Sequence, residues 1–253
     1  QKIQVSPVSY YGALPSGYGY IALTSFPNTA ASEVKKAFLE LKEKHHIKGL
    51  ILDLRDNGGG LIDEAIKIVN FFVPAGEEVV TTRGRNARLQ ETIYKTTDKP
   101  LDTEIPLAVL INAQSASSSE IVSGALQDLD RAVVMGVKSY GKGLVQTTMQ
   151  LPYDGTIKLT TAKYYIPSGR CIQRIDYHSL REGKGATILP DSLTKVFHTR
   201  AGREVRDAGG ILPDITLPVD TLPTMVYYLR ASNDAFDWIT DYVRQHRTIP
   251  APK

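Results

Sequence analysis

The sequence predicts an α/β (or α+β) protein, in which short apolar strands alternate with amphipathic helices around one core. Three observations carry that prediction. Gly19-Tyr-Ile-Ala-Leu-Thr-Ser-Phe26 and Leu107-Ala-Val-Leu-Ile111 read as strands, the second bounded by Pro106 and Asn112. Residues 30–44 place Val34, Ala37, Phe38 and Leu41 on one helical face, with lysines and glutamates opposite. Two strand-to-helix turns follow, one rich in glycine (57–60) and one rich in serine (115–119).

Taken in order, residues 1–14 alternate weakly and lead into the first strand. The strand at 49–54 runs into Asn57-Gly-Gly-Gly60, and a helix is expected over 61–71. Residues 77–100, rich in Thr, Arg and Gly, suggest a strand and an exposed turn. After the strand at 107–111, Ile121, Val122, Ala125, Leu126 and Leu129 recur at helical spacing, so the chain turns into a helix around 115–119. Residues 132–135, 145–151 and 156–165 read as strands, and Ile166-Pro-Ser-Gly-Arg170 as a turn. Residues 173–200 are polar and irregular, an expected exposed insertion. Residues 222–247 carry Val226, Leu229, Phe236, Trp238, Ile239 and Val243 at helical spacing, a C-terminal helical extension that packs on the core or on another subunit of a homo-oligomer.

Composition narrows the function classes. The 253 residues, 42% of them hydrophobic, can bury one large core with or without an appendage. A net charge of +3 from 30 basic and 27 acidic residues does not indicate a nucleic-acid partner. No apolar run approaches the ~20 residues that span a bilayer, and the opening Gln-Lys-Ile-Gln-Val-Ser is not a signal peptide, which reads as a mature or trimmed chain. One cysteine, Cys171, excludes an internal disulfide and reads as a packed residue. His45, His46, His178 and His198 show no metal-ligand spacing and read as surface residues, so neither a metal nor another cofactor is expected.

The chemistry concentrates at 114–146. A hydroxyl at the 115–119 turn sits among free N–H groups at the positive end of a helix dipole, an arrangement that stabilises a developing oxyanion. Serine is a poor nucleophile without a base, and no histidine is near in sequence. Lys142 lies between Gly141 and Gly143, an odd place for a solubilising charge. To act as a neutral base it must lose about 2–3 pKa units from the usual ~10.4, by burial or repulsion. The plainer alternative is that 115–119 cap the helix, with Glu120 assisting in its first turn. A nucleotide-binding loop is a further alternative, since Gly136–Lys142 fits G-x-x-x-x-G-K. Gly143 stands where Ser or Thr would bind magnesium, however, and 145–151 alternate like a strand. The glycines at 58–60 either converge backbone N–H groups on an anion or form a tight turn with no ligand.

Ser115-Ala-Ser-Ser-Ser-Glu120 with the residues to Asp128, then Tyr140-Gly-Lys-Gly-Leu-Val-Gln146, resembles the C-terminal processing peptidases (tail-specific proteases) of serine peptidase family S41. The resemblance extends through Asp53–Gly60, the Tyr164–Gly169 segment and Gly209-Gly-Ile-Leu-Pro-Asp214, covering about 19–214 as a peptidase core. It implies a core related to the ClpP/crotonase fold, Ser117 as nucleophile, Lys142 as base and Gln146 as the residue orienting it. By the same likeness Gly60 and Ser118 supply oxyanion-hole N–H groups. Ser118 stands where the family usually has alanine, a change expected to leave its N–H unaffected. Tyr164–Gly169 is expected to line the cleft, and Asp53 and Arg55 to brace the glycine loop. The implied function is cleavage of protein or peptide substrates near their C-termini in an extracytoplasmic (periplasmic or membrane-associated) setting. The substrate-capturing PDZ module that precedes such a core in the family is absent from these residues. The competing class is a non-catalytic peptide- or lipid-binding protein on the same core.

Overall fold

The computed structural model describes residues 5–85, 91–177, 187–188, 194–218 and 223–246. They fall into two units, Gln1–Leu217 and Pro218–Lys253.

In chain order the first unit contains β1 (Val8–Ala13), β2 (Gly19–Leu23), α1 (Ala30–His45), β3 (Leu50–Asp53), α2 (Ile62–Asn70), β4 (Glu78–Gly84), β5 (Glu91–Lys95), β6 (Leu107–Ile111), α3 (Ser118–Asp128), β7 (Val133–Gly136), β8 (Leu144–Gln150) and β9 (Thr156–Tyr165). Four two- or three-residue strands and a final one follow: β10 (Ile175–Asp176), β11 (Thr187–Ile188), β12 (Val196–His198), β13 (Glu204–Arg206) and β14 (Ile215–Thr216). The main sheet has the order β1-β2-β3-β6-β7-β14. All its pairs are parallel except β1 with β2. Parallel neighbours need crossovers, and α1, α2 and α3 lie in the connections, as the alternating sequence pattern requires.

Burial follows the two periodicities. Alternate strand residues, Ile21, Leu23, Leu50, Leu52, Val109, Ile111 and Val134, are buried. They join Val34, Phe38, Ile68, Val69, Val122 and Leu126 of the helices in one core. Each large side chain so buried stabilises the fold by about 1.5–3 kcal/mol before entropy is counted. In α3 every residue is buried, which explains its small side chains (Ser119, Ser123, Gly124, Ala125). A second, antiparallel sheet has the order β5-β4-β9-β8, and β8, entered directly from Lys142, is its edge. His45 and His46 end α1 in the open, and His198 is exposed in β12, while His178 lies outside the described residues. Most of the expected insertion at 173–200 is likewise undescribed.

The second unit holds α4 (Thr224–Ala231) and α5 (Asp234–Gln245). Its Met225, Phe236, Trp238 and Ile239 are exposed. Among the described residues no helix is long and apolar enough to cross a membrane.

Candidate active site

The site forms where β3 and β6, neighbours in the parallel sheet, end side by side. Ligand sites in such sheets lie at the carboxyl ends of strands. Beyond β3 the chain makes the glycine turn, and beyond β6 it makes the serine turn. Buried Asn57 joins the two. Its Nδ2 donates to Leu23 O (2.8 Å), its Oδ1 accepts from Gly59 N (2.9 Å), and its carbonyl accepts from Ala116 N (3.0 Å) and Ser119 Oγ (2.8 Å).

The neighbouring serines are distinguished by what their hydroxyls hold. Ser115 Oγ donates to Leu54 O (2.7 Å), Ser118 Oγ to Gly60 O (2.9 Å), Ser119 Oγ to Asn57 O and Ser123 Oγ to Ser119 O (2.8 Å). Those four are buried and committed to the scaffold. Ser117 is half-buried, and its hydroxyl donates to no group among the described residues. It caps α3 with φ 58° and ψ −116°, a conformation a side-chain-bearing residue rarely adopts outside a functional turn. The hydroxyl of Ser118 therefore has a task of its own, drawing the glycine turn onto the helix start, where sequence reasoning assigned it only a backbone role.

Two backbone donors at these turns lack partners. Among the described residues neither Gly60 N–H nor Ser118 N–H has an acceptor, while Ser119, Glu120 and Ile121 N–H groups are taken by Ala116 O or Ser117 O. The last two positions of the glycine turn tolerate only glycine: a Cβ on Gly60 would lie 2.4 Å from Phe26 O, and one on Gly59 (φ 97°) would lie 2.7 Å from Ser117 Cβ.

Lys142 arrives on the loop between β7 and β8, and the buried carboxylate of Glu120 holds that loop. Glu120 Oε1 accepts from Ser139 Oγ (2.5 Å) and Gly141 N (2.7 Å), and Oε2 accepts from Lys142 N (2.9 Å) and Ser117 N (2.9 Å). The backbone nitrogens of Ser117 and Lys142 are thus within two hydrogen-bond lengths of each other. Burial raises the Glu120 carboxyl above its ordinary pKa, against the four donors, which favour the ionised form. From the opposite side Tyr164 of β9 directs its hydroxyl at Lys142 O and, at 3.3 Å, at Ser117 O. Burial, and then the Glu120 charge, raises this phenol well above its usual pKa, so it remains a donor. The Tyr164 side chain lies inside the protein instead of lining a cleft, because β9 turns it inward under the serine turn.

The side chains expected to react are not hydrogen-bonded to each other here. Among the described residues no bond joins Ser117 Oγ to Lys142 Nζ, and Lys142 Nζ makes no ion pair. Gln146 is exposed on β8, beside a bulge at Val145/Gln146, and makes no side-chain bond to Lys142. Gln173 contacts the lysine loop instead, its Oε1 accepting from Gly143 N (2.8 Å). Asp53 pairs with Arg55 (2.6 Å) and accepts from Tyr20 OH (2.5 Å) beneath the glycine turn. Burial raises the Cys171 thiol above its ordinary pKa, which suits a packed residue. No group of three or more His, Cys, Asp or Glu able to hold a metal occurs among the described residues.

Sequence reasoning missed Tyr164, Asn57 and half of what Glu120 does. The Ser-x-x-Glu cap signal pointed to the bond from Ser117 N, and the bonds to 139–142 left no local trace.

Fold and site together define a class: parallel α/β proteins with a serine at a strained strand-to-helix turn beside free backbone donors. Within it, the model of Peptidase family S41 matches residues 17–179, and the chain belongs to that family. It is 43% identical over 178 residues to the Carboxy-terminal-processing protease of Bartonella bacilliformis, covering 68% of this chain and 40% of that protein. It is 34% identical over 187 residues to the chloroplastic C-terminal processing peptidase of Tetradesmus obliquus, covering 69% and 39%. Among solved structures it is similar to a photosystem II D1 C-terminal processing protease, with a TM-score of 0.64, 28% identity, and coverage of 90% of this chain and 52% of that one. The chain therefore spans about 40% of the length of these curated relatives.

Proposed function

We propose that this chain carries the catalytic core of a serine endopeptidase of the C-terminal processing type, working through Ser117 and Lys142. The observation that carries the reading is the division of labour among the serines. Four hydroxyls are spent on the scaffold, while among these serines Ser117 keeps a hydroxyl that donates to no group among the described residues, on a strained turn whose backbone shares a carboxylate oxygen with Lys142.

In the reaction, the amine of Lys142 takes the Ser117 proton as Oγ attacks a peptide carbonyl. The N–H groups of Gly60 and Ser118 receive the oxyanion; one such donor is typically worth about 2.7–4 kcal/mol of transition-state stabilisation. The protonated lysine then gives its proton to the leaving amine, and water hydrolyses the acyl-enzyme. Lys142 must swing its side chain toward Oγ for the first step, and Gln146 orients it once there. Catalytic hydrogen bonds often tighten only when substrate is bound. The substrate enters as an extended segment pairing by its main chain along the open edge of β8. No cofactor takes part. The natural substrates are protein C-termini in an extracytoplasmic compartment, and the core is a ClpP/crotonase-like one spanning about 19–220, with 221–253 a separate helical extension. One observation favours a second reading, non-catalytic peptide binding on the same core: the Ser117 and Lys142 side chains are not joined.

Digestion of denatured fluorescein-labelled casein separates the two. Ser117→Ala is expected to lower turnover by roughly 10⁴-fold or more, and Lys142→Ala to bind without cutting. Cleavage that survives Ser117→Ala removes the proposed nucleophile.

A further inference from the structure

The backbone around the two proposed reactive residues is gripped twice, by side chains from two different elements. Glu120 Oε2 takes both N–H groups, Ser117 N and Lys142 N, each at 2.9 Å. Tyr164 OH faces both carbonyls, Ser117 O at 3.3 Å and Lys142 O more closely. Neither grip is local. Glu120 lies on α3 and reaches the loop that carries Lys142; Tyr164 lies on β9 and reaches both. The loop itself turns through Gly141 (φ 86°), flanked by Gly143; backbone bonds tie Tyr140 N to Ser115 O, Arg174 N to Gly141 O and Tyr164 N to Gly143 O (each 3.0 Å), and the other oxygen of Glu120 is taken up by its Ser139 and Gly141.

We propose that Glu120 and Tyr164 are a paired positioning device for the nucleophile and the base, a carboxylate collecting the donors and a phenol serving the acceptors of the same two residues. The inference rests on the assignment of Ser117 and Lys142 above and adds how their spacing is set. Neither residue touches the reacting atoms. Each fixes two backbones at once, so these two side chains act on Ser117 and Lys142 themselves, where the backbone bond from Tyr140 N to Ser115 O ties only their neighbours, and together they set the distance over which Lys142 must reach for Oγ. A capping role alone would account for the bond to Ser117 N and for nothing at 139–142. A packing role alone would account for the Tyr164 ring and not for a hydroxyl directed at both carbonyls.

Chemistry makes both groups testable by near-isosteric change. In Glu120→Gln an NH₂ replaces one of two oxygens that each accept two donors, so a donor faces donors. In Tyr164→Phe only the hydroxyl goes. A displacement of about 1 Å at a reacting pair costs up to ~100-fold in rate. Casein turnover is therefore expected to fall about 10–100-fold in kcat for each variant, with KM within about twofold, because substrate binding along β8 is untouched. The rate at which a fluorophosphonate probe labels Ser117 is expected to fall in step with kcat, since it reads activation of the hydroxyl without any peptide. Near-ultraviolet circular dichroism confirms the fold of each variant, and if Glu120→Gln does not fold, Tyr164→Phe decides. Ser117→Ala runs beside them. If Ser117→Ala is inactive while folded Tyr164→Phe keeps wild-type kcat and labelling rate, the positioning device is refuted and the nucleophile stands. A loss confined to KM refutes it as well. If Ser117→Ala still cuts, the underlying assignment fails and takes the device with it.

Discussion

Arg170 offers the sharpest test of what anchors the C-terminal end of α3, the helix that Ser117 caps. Its guanidinium is fully buried, as is the Asp128 carboxylate it meets at 2.8 Å at the end of α3. It also donates to Gln127 Oε1 (2.8 Å) and Arg206 O (3.2 Å). Gln127 passes the connection on to Leu212 O (2.9 Å) and Asp214 (3.0 Å), so the pair joins α3, the turn after β9 and the segment before β14. Replacing Arg170 with alanine leaves Asp128 buried with only Ser168 N–H (3.0 Å) as a remaining polar partner from this network. Breaking one side of a buried pair costs about 3–5 kcal/mol. At roughly 2–4 °C per kcal/mol for a domain of this size, the midpoint of thermal unfolding should drop by about 6–20 °C. Burial already holds the Asp128 carboxyl above its ordinary pKa, opposed by the Arg170 charge; without that charge it rises further. A folded-state pKa raised above the unfolded value makes stability fall as pH rises through it. The Arg170→Ala deficit should thus be larger near pH 8 than near pH 5, read from urea midpoints at both. Replacing both partners with Met and Leu should recover much of the loss, since an apolar pair leaves no orphan charge. A deficit below about 1 kcal/mol, or one independent of pH, would refute the argument that this pair is desolvated and essential.

Two further outcomes follow from the site and its surroundings. Ser118→Ala removes the bond to Gly60 O but keeps the N–H, so stability should fall by about 0.5–1.5 kcal/mol with kcat on casein changed less than about threefold; a hundredfold loss of kcat would transfer the oxyanion role to the hydroxyl. For Asp102, burial alone would raise the carboxyl, but the Lys42 ammonium and the N–H groups of Ile105 and Glu104 outweigh it and hold it below its ordinary pKa. A depressed acid contributes stability above its unfolded pKa and loses it as pH falls through the folded one, so Asp102→Asn should destabilise near neutral pH, by about 1 kcal/mol or less because Lys42 is half exposed, and do nothing near pH 2; an equal deficit at both pH values would contradict it.

The strands and helices of the first unit were legible because burial writes itself into periodicity. Val34, Ala37, Phe38 and Leu41 marked α1, and the apolar run at 107–111 marked β6, since each element must hide one face. The two turns were legible too, because glycine and serine are what a strand-to-helix corner demands. What the sequence concealed was partnership across distance. Ser115, Ser118 and Ser119 look alike in a row of hydroxyls, and their acceptors, Leu54, Gly60 and Asn57, lie in the other turn, brought near only by the pairing of β3 with β6. Singling out Ser117 therefore rested on the family resemblance; in the structure it differs from its neighbours in that its hydroxyl donates to no group among the described residues. The family resemblance implies that the segment 164–169 lines the cleft, and Tyr164 is buried instead; which way a strand residue points depends on register, and register is a property of pairing.

The strain at Ser117 and the grip of Glu120 explain each other. A side-chain-bearing residue in a sparsely populated backbone region costs about 1–3 kcal/mol and persists only where its surroundings over-determine it. Here they do. Ser117 N is fixed by Glu120, Ser117 O by the N–H groups of Glu120 and Ile121 and by Tyr164, and Gly59 presses on its Cβ position so closely that no other residue would fit. A relaxed helical cap at the same place would let its hydroxyl fold back on the helix's own free N–H groups, as serine caps ordinarily do. Holding the backbone away from that minimum leaves the Ser118 N–H without an acceptor and the Ser117 hydroxyl donating to no group among the described residues. The fully buried first turn of α3 is the consequence: where the helix must anchor a strained residue, a lysine loop and a glycine turn, it carries Ser118, Ser119 and Glu120, whose polar groups make those bonds.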